Sequence, residues 1–277
     1  MKSCISIVFT GIFILGGQAI SGQSLRYAVS MPYSGLMTYS RQQSDPFSFT
    51  GNQAALAGIK NTAVGLFGER RFLLAPLSAY VLAAAIPTYL GHIGIVFNYG
   101  GFKNFNEYKI GLAYARKLTS TIEIGVQFNY YSYRIPAYGN AGTINFEMGA
   151  IWHLSAKLNG GIQVYNPVGG KIGKKAKEKL ASAYKAGLGY DASDHFFIGA
   201  EVIKEEDKPL NIIAGMQYHF ARQFFARVGI SGATGSVYFG AGISMKNWRL
   251  DVTGSYHFQL GLSPGILLVT NFKQKER

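Results

Sequence analysis

The sequence predicts an all-β protein: a closed antiparallel barrel of about 14 strands that crosses a membrane. Three observations predict it. Apolar and polar residues alternate with period two over run after run of about ten residues, the length a tilted strand needs to cross a bilayer. Charged residues make up only 15% of the 277, while Gly (35), Tyr (18) and Phe (19) are abundant. Short connectors alternate with longer ones, which is the layout of a barrel with tight turns on one side of the membrane.

Taken in order, residues 1–22 read as a secretory signal. Lys2 gives the positive start, Ile5 to Leu15 the apolar run, and Ala19-Ile20-Ser21-Gly22 the small-residue cleavage region. Cys4, the single cysteine, lies inside it, so the mature chain is expected to carry no disulfide and no cysteine metal site. Residues 23–60 do not alternate. Asp45-Pro46-Phe47 is a turn signal, and Gln53 to Ala57 after Asn52 suits a short helical piece. A segment of this size can sit at the periplasmic mouth or plug the lumen.

The barrel is expected over residues 61–272, with a polar tail at 273–277. The apolar stretch Phe72 to Ile86 is bracketed by Pro76 and Pro87, too closely for a spanning helix. Beyond it alternation is plain: Ile124, Val126, Phe128 and Tyr130 against Glu123, Gly125, Gln127 and Asn129; Ile144, Phe146 and Met148 against Asn145 and Glu147; Val237, Phe239 and Ala241 against Tyr238, Gly240 and Gly242. Tight links are expected at 118–120, 155–157, 191–194 and 246–247. Longer ones are expected at 100–106, 134–142, 166–181, 204–209 and 259–263. The last run, Ile266 to Phe272, should pair with the first, Asn61 to Arg71, because hydrocarbon leaves no partner for an open edge. A soluble sandwich also alternates, but its outward face is usually rich in Lys, Glu and Thr. Here one face is aromatic in nearly every run and the other is Gly, Ala, Asn, Gln and scattered charge, which suits a lipid-facing belt around a polar interior.

By that alternation the candidate lumen- or plug-facing residues are Lys109, Glu123, Gln127, Asn129, Asn145, Glu147, Gln217, His219, Arg227, Arg249, Asp251 and His257. Inside a barrel such groups must be paired or wet. They could form a solute path, or a salt-bridge network between wall and plug. Gly111, Gly125, Gly149, Gly161, Gly187, Gly199, Gly215, Gly229, Gly240 and Gly242 on the same face would let a plug backbone approach closely. The loop from Gly169 to Ser182 carries Lys171, Lys174, Lys175, Lys177 and Lys179 against Glu178, a candidate contact for lipopolysaccharide phosphates. The net charge of +13 fits anionic lipid head groups better than nucleic acid for an exported chain.

Catalytic and metal chemistry find little to stand on. Ser255 and His257 share an inner face with no acid beside them. The five His residues have no metal-ligand spacing, and no cofactor is expected.

The stretch "DPFSFTGNQAALAGIKNTAVGLFGERRFLL" (45–74), with "NEYKIGLAYARKL" (106–118), "IPAYGNAGTINFEMG" (135–149) and "GSYHFQLGLSPGILL" (254–268), resembles the barrel family that includes the long-chain fatty-acid transporter FadL and the type IX secretion barrel PorV. Within it the chain looks like a Bacteroidota branch of PorV/PorQ-like barrels. The resemblance implies a fourteen-stranded barrel opened by a luminal segment with an Asn-Pro-Ala-like turn. Here that turn is Asn52-Gln53-Ala54, with Gln53 where Pro is usual. Two functions follow as expectations: an outer-membrane channel for small or hydrophobic solutes, or a scaffold for secretion-system proteins that passes no small solute.

Overall fold

The computed structural model describes residues 36–136, 139–172, 178–206, 208–221 and 223–272. The expected signal, residues 23–35, the tail at 273–277 and lysines 174, 175 and 177 lie outside these. So do the side chains of 172–179, and with them most of the expected phosphate-contact loop.

Among the described residues sixteen strands follow in chain order. The first seven are β1 (Thr62–Arg70), β2 (Ser78–Pro87), β3 (His92–Phe102), β4 (Phe105–Lys117), β5 (Ile122–Ile135), β6 (Gly139–His153) and β7 (Leu158–Tyr165). A two-stranded ribbon in the next loop comprises β8 (Lys171–Ile172) and β9 (Glu178–Lys179). The rest are β10 (Ala183–Ser193), β11 (Phe196–Glu205), β12 (Asn211–His219), β13 (Phe224–Ser231), β14 (Ser236–Ser244), β15 (Trp248–His257) and β16 (Gly261–Phe272). All but the ribbon close into a fourteen-stranded antiparallel barrel in which each strand pairs with its neighbours in sequence. The seam is β1 with β16, in register from Thr62↔Phe272 to Glu69↔Gly265. The first and last runs therefore pair as the alternation requires.

The outward face is apolar across its central belt. Leu66, Tyr80, Leu112, Phe128, Ile144, Ile230, Val252 and Ile266 all stand exposed on it. Water does not favour a continuous apolar surface of this kind, and hydrocarbon does.

The connector rhythm is weaker than the sequence suggested. The links expected to be long at 100–106 and 134–142 are mostly strand: β3 and β4 meet at Lys103-Asn104, and β5 and β6 continue to Ile135 and from Gly139. Alternation there persists past the point where Gly and polar residues signalled a loop, and ladder pairs such as Gly101↔Asn106 and Arg134↔Asn140 hold it. The expected 259–263 link likewise shrinks to 258–260, while the connections from Tyr165 to Ala183 and from Glu205 to Asn211 stay longer.

Residues 36–60 lie inside the barrel, in the half nearest the β1 start and the β16 end. Asp45 makes the expected turn: its Oδ1 accepts the Phe47 N–H (2.8 Å) and its carbonyl the Ser48 N–H (2.9 Å). One helical turn (Ser48–Gly51) and a 3-10 stretch (Gln53–Gly58) follow, the second capped by Asn52 Oδ1 on the Ala54 N–H (3.0 Å).

The inner wall has two characters. Across β16, β1, β2, β3 and β4 it is mainly apolar in that half: Phe67, Val81, Ala83, Ala85, Val96, Ala113, Ala115, Leu267 and Val269 cluster with Phe47, Phe49, Leu56 and Ile59 of the inner segment. The expectation of Gly, Ala, Asn, Gln and scattered charge on this face is corrected here, where Phe, Val and Leu side chains join the alanines. From β5 round to β15 the inner wall is mostly polar or charged, as expected.

Candidate functional site

The site is the contact between the inner segment and the polar arc of wall. It begins at the turn Asn52-Gln53-Ala54. The Asn52 amide donates to the Ile162 carbonyl (2.8 Å) and the Ala150 carbonyl (3.3 Å), bridging β6 and β7. Gln53 Nε2 donates to Glu147 Oε2 (2.7 Å), and Gln53 Oε1 accepts from Gln163 (3.2 Å). Proline at this first helical position would supply the right φ but neither bond.

Glu147 is the hub. Its oxygens also accept from Gln163 (2.9 Å), Asn129 (2.8 Å) and Gln127 (3.4 Å), and Lys109 Nζ stands 3.5 Å away. Asn129 continues to Asn145 (3.0 Å), and Asn145 to the Tyr165 hydroxyl (3.1 Å). Glu147, Gln127, Asn129 and Gln163 are fully enclosed, so each bond is made away from water. A carboxylate is tolerable there only because so many donors converge on it.

Three further anchors tie segment to wall. The Tyr39 hydroxyl donates to Glu201 (2.9 Å), beside Lys185, whose Nζ donates to the Gly51 carbonyl (3.3 Å). Asp191 accepts from the Ser40 hydroxyl (2.6 Å) and the Arg41 N–H (3.0 Å), while Asn159 donates to the Tyr39 carbonyl (3.0 Å). Asp45 pairs with Arg249 (2.6 Å), which continues to Asp251 (3.1 Å) and on to Arg227 (2.8 Å); the two guanidinium groups flank the ring of Phe225. Glu123 lies near this end of the barrel, 3.4 Å from His153 and 3.6 Å from Lys117.

Glycines admit the segment. A Cβ on Gly125 would fall 2.6 Å from the Ala54 nitrogen and closer still to the Gln53 backbone, and one on Gly149 would strike the Asn52 side chain. Gly161 and Gly187 face Tyr39, and Gly215 faces Leu36. Gly111, Gly199, Gly229, Gly240 and Gly242 are corrections: a Cβ there meets wall atoms, not the segment. Gly65 (against Phe47), Gly94 (against Phe49 and Leu56) and Gly189 (against Tyr39) do the work expected of them.

All twelve predicted inner residues face inward, but they do not form one site. Glu147 with Lys109, Gln127, Asn129 and Asn145 makes one cluster, and Arg227, Arg249 and Asp251 a second. The Gln217 and His219 side chains meet each other (2.9 Å), apart from both clusters. His257 sits at the opposite rim, edge-on to Phe72, accepting the Gln259 and Leu260 N–H groups (3.1 and 3.3 Å). Asp45, Tyr39, Asn159, Gln163, Lys185, Asp191 and Glu201 were not singled out in the sequence as contacts between segment and wall. A signal existed for several: Gln163, Lys185 and Glu201 each lie two residues from a glycine already placed on the inner face.

Among the described residues no group of three or more His, Cys, Asp or Glu side chains could hold a metal.

No family model matches the chain, and no curated protein matches it in sequence. Solved structures do match in fold. The monoaromatic hydrocarbon channel CymD superposes with a TM-score of 0.63 at 11% identity, over 84% of this chain and 94% of that one. The Pseudomonas putida toluene transporter TodX gives 0.62 at 10%, over 85% and 98%. A Pseudomonas aeruginosa FadL homologue gives 0.59 at 14%, over 87% and 98%. The chain thus has the closed fourteen-stranded barrel fold of the FadL-type channels.

Proposed function

We propose that this protein is an outer-membrane channel for small hydrophobic solutes, gated by its own residues 36–60. The observation that carries the reading is the apolar arc of inner wall. A channel for polar solutes gains nothing from a lumen lined by Phe67, Val81, Val96, Leu267 and Val269, since water wets that surface poorly. A hydrophobic solute gains from it directly, at roughly 25 cal/mol for each Å² taken out of water. In the structure Phe47, Phe49 and Leu56 occupy the arc, standing in for such a solute.

The apolar outer belt, the export signal expected at 1–22 and the likeness to hydrocarbon channels support the outer-membrane location and the solute class. Passage requires the segment to leave the arc, so the docked state is the closed state. No observation favours a secretion scaffold.

The test is uptake of labelled toluene by cells whose outer membrane lacks its own hydrocarbon channel. Expression of the protein should accelerate uptake several-fold, and Val96→Asn with Leu267→Asn should remove most of the gain while the barrel stays folded. Liposomes bearing the protein should not swell in sugar. Sugar entry without any gain in toluene uptake would overturn the reading.

A further inference from the structure

At the end of the barrel where β1 begins, two cavities open side by side, of about 260 Å³ and 490 Å³. Arg41, Ser44, Gly58 and Lys60 belong to the walls of both, forming the ridge between them. Lys117 stands in the far wall of the first cavity and Lys246 in that of the second. Two carboxylates also line them, and both are already engaged. Glu123 faces Lys117 (3.6 Å) and His153 (3.4 Å), and Asp45 is paired with Arg249 (2.6 Å) and holds its own turn.

Among the described residues, the side chains of Arg41, Lys60 and Lys246 make no ion pair. The backbone that carries two of them is held in place. The Arg41 N–H is fixed on Asp191 (3.0 Å), and Lys60 ends the inner segment just before β1 enters the barrel wall. All three cations are exposed at the mouth, and unmatched cations around a concavity raise the local concentration of anions. The neutral donors available around them, Ser44, Asn61 and Asn247, suit oxygen acceptors.

We propose that this double cavity is a binding site for the anionic group of a small molecule, a carboxylate or a phosphate. Arg41 and Lys60 hold it centrally, and Lys117 and Lys246 on either side. The larger cavity has room for an attached ring or short chain, and its volume falls within the range of small-ligand pockets. The site is built partly from the docked segment itself, so it requires the docked state but not the hydrocarbon reading.

The test is calorimetric titration of the full-length protein, in an uncharged detergent, with benzoate and separately with inorganic phosphate. Saturable binding at one site is expected for at least one of them. The double variant Arg41→Gln/Lys60→Gln should weaken it at least tenfold, Lys246→Gln should weaken it less, and Lys103→Gln, at the opposite rim, should leave it unchanged. Tighter benzoate binding would assign the site to a carboxylate solute, and tighter phosphate binding to a phosphate-bearing one. Absence of saturable binding by either anion would overturn the proposal, as would equal affinity in Arg41→Gln/Lys60→Gln protein that keeps the heat-modifiable mobility of a folded barrel. Toluene uptake by Lys246→Gln protein, substituted outside residues 36–60, separates this site from the channel reading, because it should not change.

Discussion

The two arcs of the inner wall hold the same segment by different physics. Against β16 to β4, Phe47, Phe49 and Leu56 pack on Phe67, Val96 and Leu267 through many weak, non-directional contacts. Against β5 to β15, Asn52, Gln53, Tyr39, Ser40 and Asp45 are held by a few directional bonds, most of them to a buried charge. Packing tolerates exchange of one apolar shape for another. A directional network fails when any one member is wrong, because it strands the others without water. On the channel reading proposed above, the apolar arc would accept a solute in place of the segment, and the polar arc would fix where the segment returns.

The largest effect should come from destroying the fit on the polar side without touching a polar group. Gly125 sits between β4 and β6, where ladder pairs from Ala115 and Gly149 hold its backbone. In Gly125→Val a side chain would occupy the place of the Gln53 backbone. Neither strand nor turn can yield, so the turn should not seat. Residues 36–60 should become cleavable by protease, and sugar-driven liposome swelling, near zero in the parent, should rise at least tenfold.

Next should be Glu147→Leu. It removes the acceptor shared by Gln53, Gln163, Asn129 and Gln127 and leaves Lys109 buried without its carboxylate. Breaking a buried pair from one side costs about 3–5 kcal/mol. Thermal unfolding of the detergent-solubilised barrel should register it. Adding Lys109→Met should recover a large part, since the stranded charge is then gone. If the double variant is no better than the single one, the cost lies in the amides and not in the charge.

The fold was more legible in the sequence than the site, for a physical reason. Side-chain direction in a strand has period two, so Ile124, Val126 and Phe128 on one side and Glu123, Gln127 and Asn129 on the other announce both strand and face. Closure followed from the need to pair every backbone group in hydrocarbon. The apolar arc was harder to see because its strands lack contrast. In "SAYVLAAAIP" both faces are apolar or small, and period-two reading returns no inside. The docking partners were harder still. Glu147 and Gln53 are 94 residues apart, Tyr39 and Glu201 162 apart, and only closure of the barrel brings them together. What the sequence did show was permission: Gly125, Gly149 and Gly187 mark where something must come close, though not what.

Two conservative exchanges sharpen the contrast between the arcs. Gln53→Glu keeps size and shape but sets a carboxylate against Glu147, 2.7 Å from where the Gln53 amide donated. Loss of a hydrogen bond to a charged group costs about 1.5–3 kcal/mol. Phe47→Leu, on the apolar side, keeps the chemistry and loses some volume, and should cost less than about 1.5 kcal/mol. Protease protection of residues 36–60 should fall clearly in the first and barely in the second. Equal losses would show that packing precision, and not hydrogen-bond direction, governs docking on both sides.

The smallest effect should be at Glu205–Lys208, an ion pair outside both arcs. Its atoms are as close as many inside the barrel, at 3.1 Å, but the lysine is more than a third exposed. Water already solvates both groups, so Lys208→Gln should change the melting temperature by the equivalent of about 0.5 kcal/mol or less. Arg227 and Asp251 make a pair of similar length, 2.8 Å, with both side chains almost completely enclosed. Arg227→Gln should be several times more costly, because Asp251 would then depend on Arg249 alone, and Arg249 must also hold Asp45. The ratio of those two effects measures how much of the charge network's strength comes from its enclosure by the segment. That ratio should fall toward one in Gly125→Val, where the segment no longer seats and water reaches the wall.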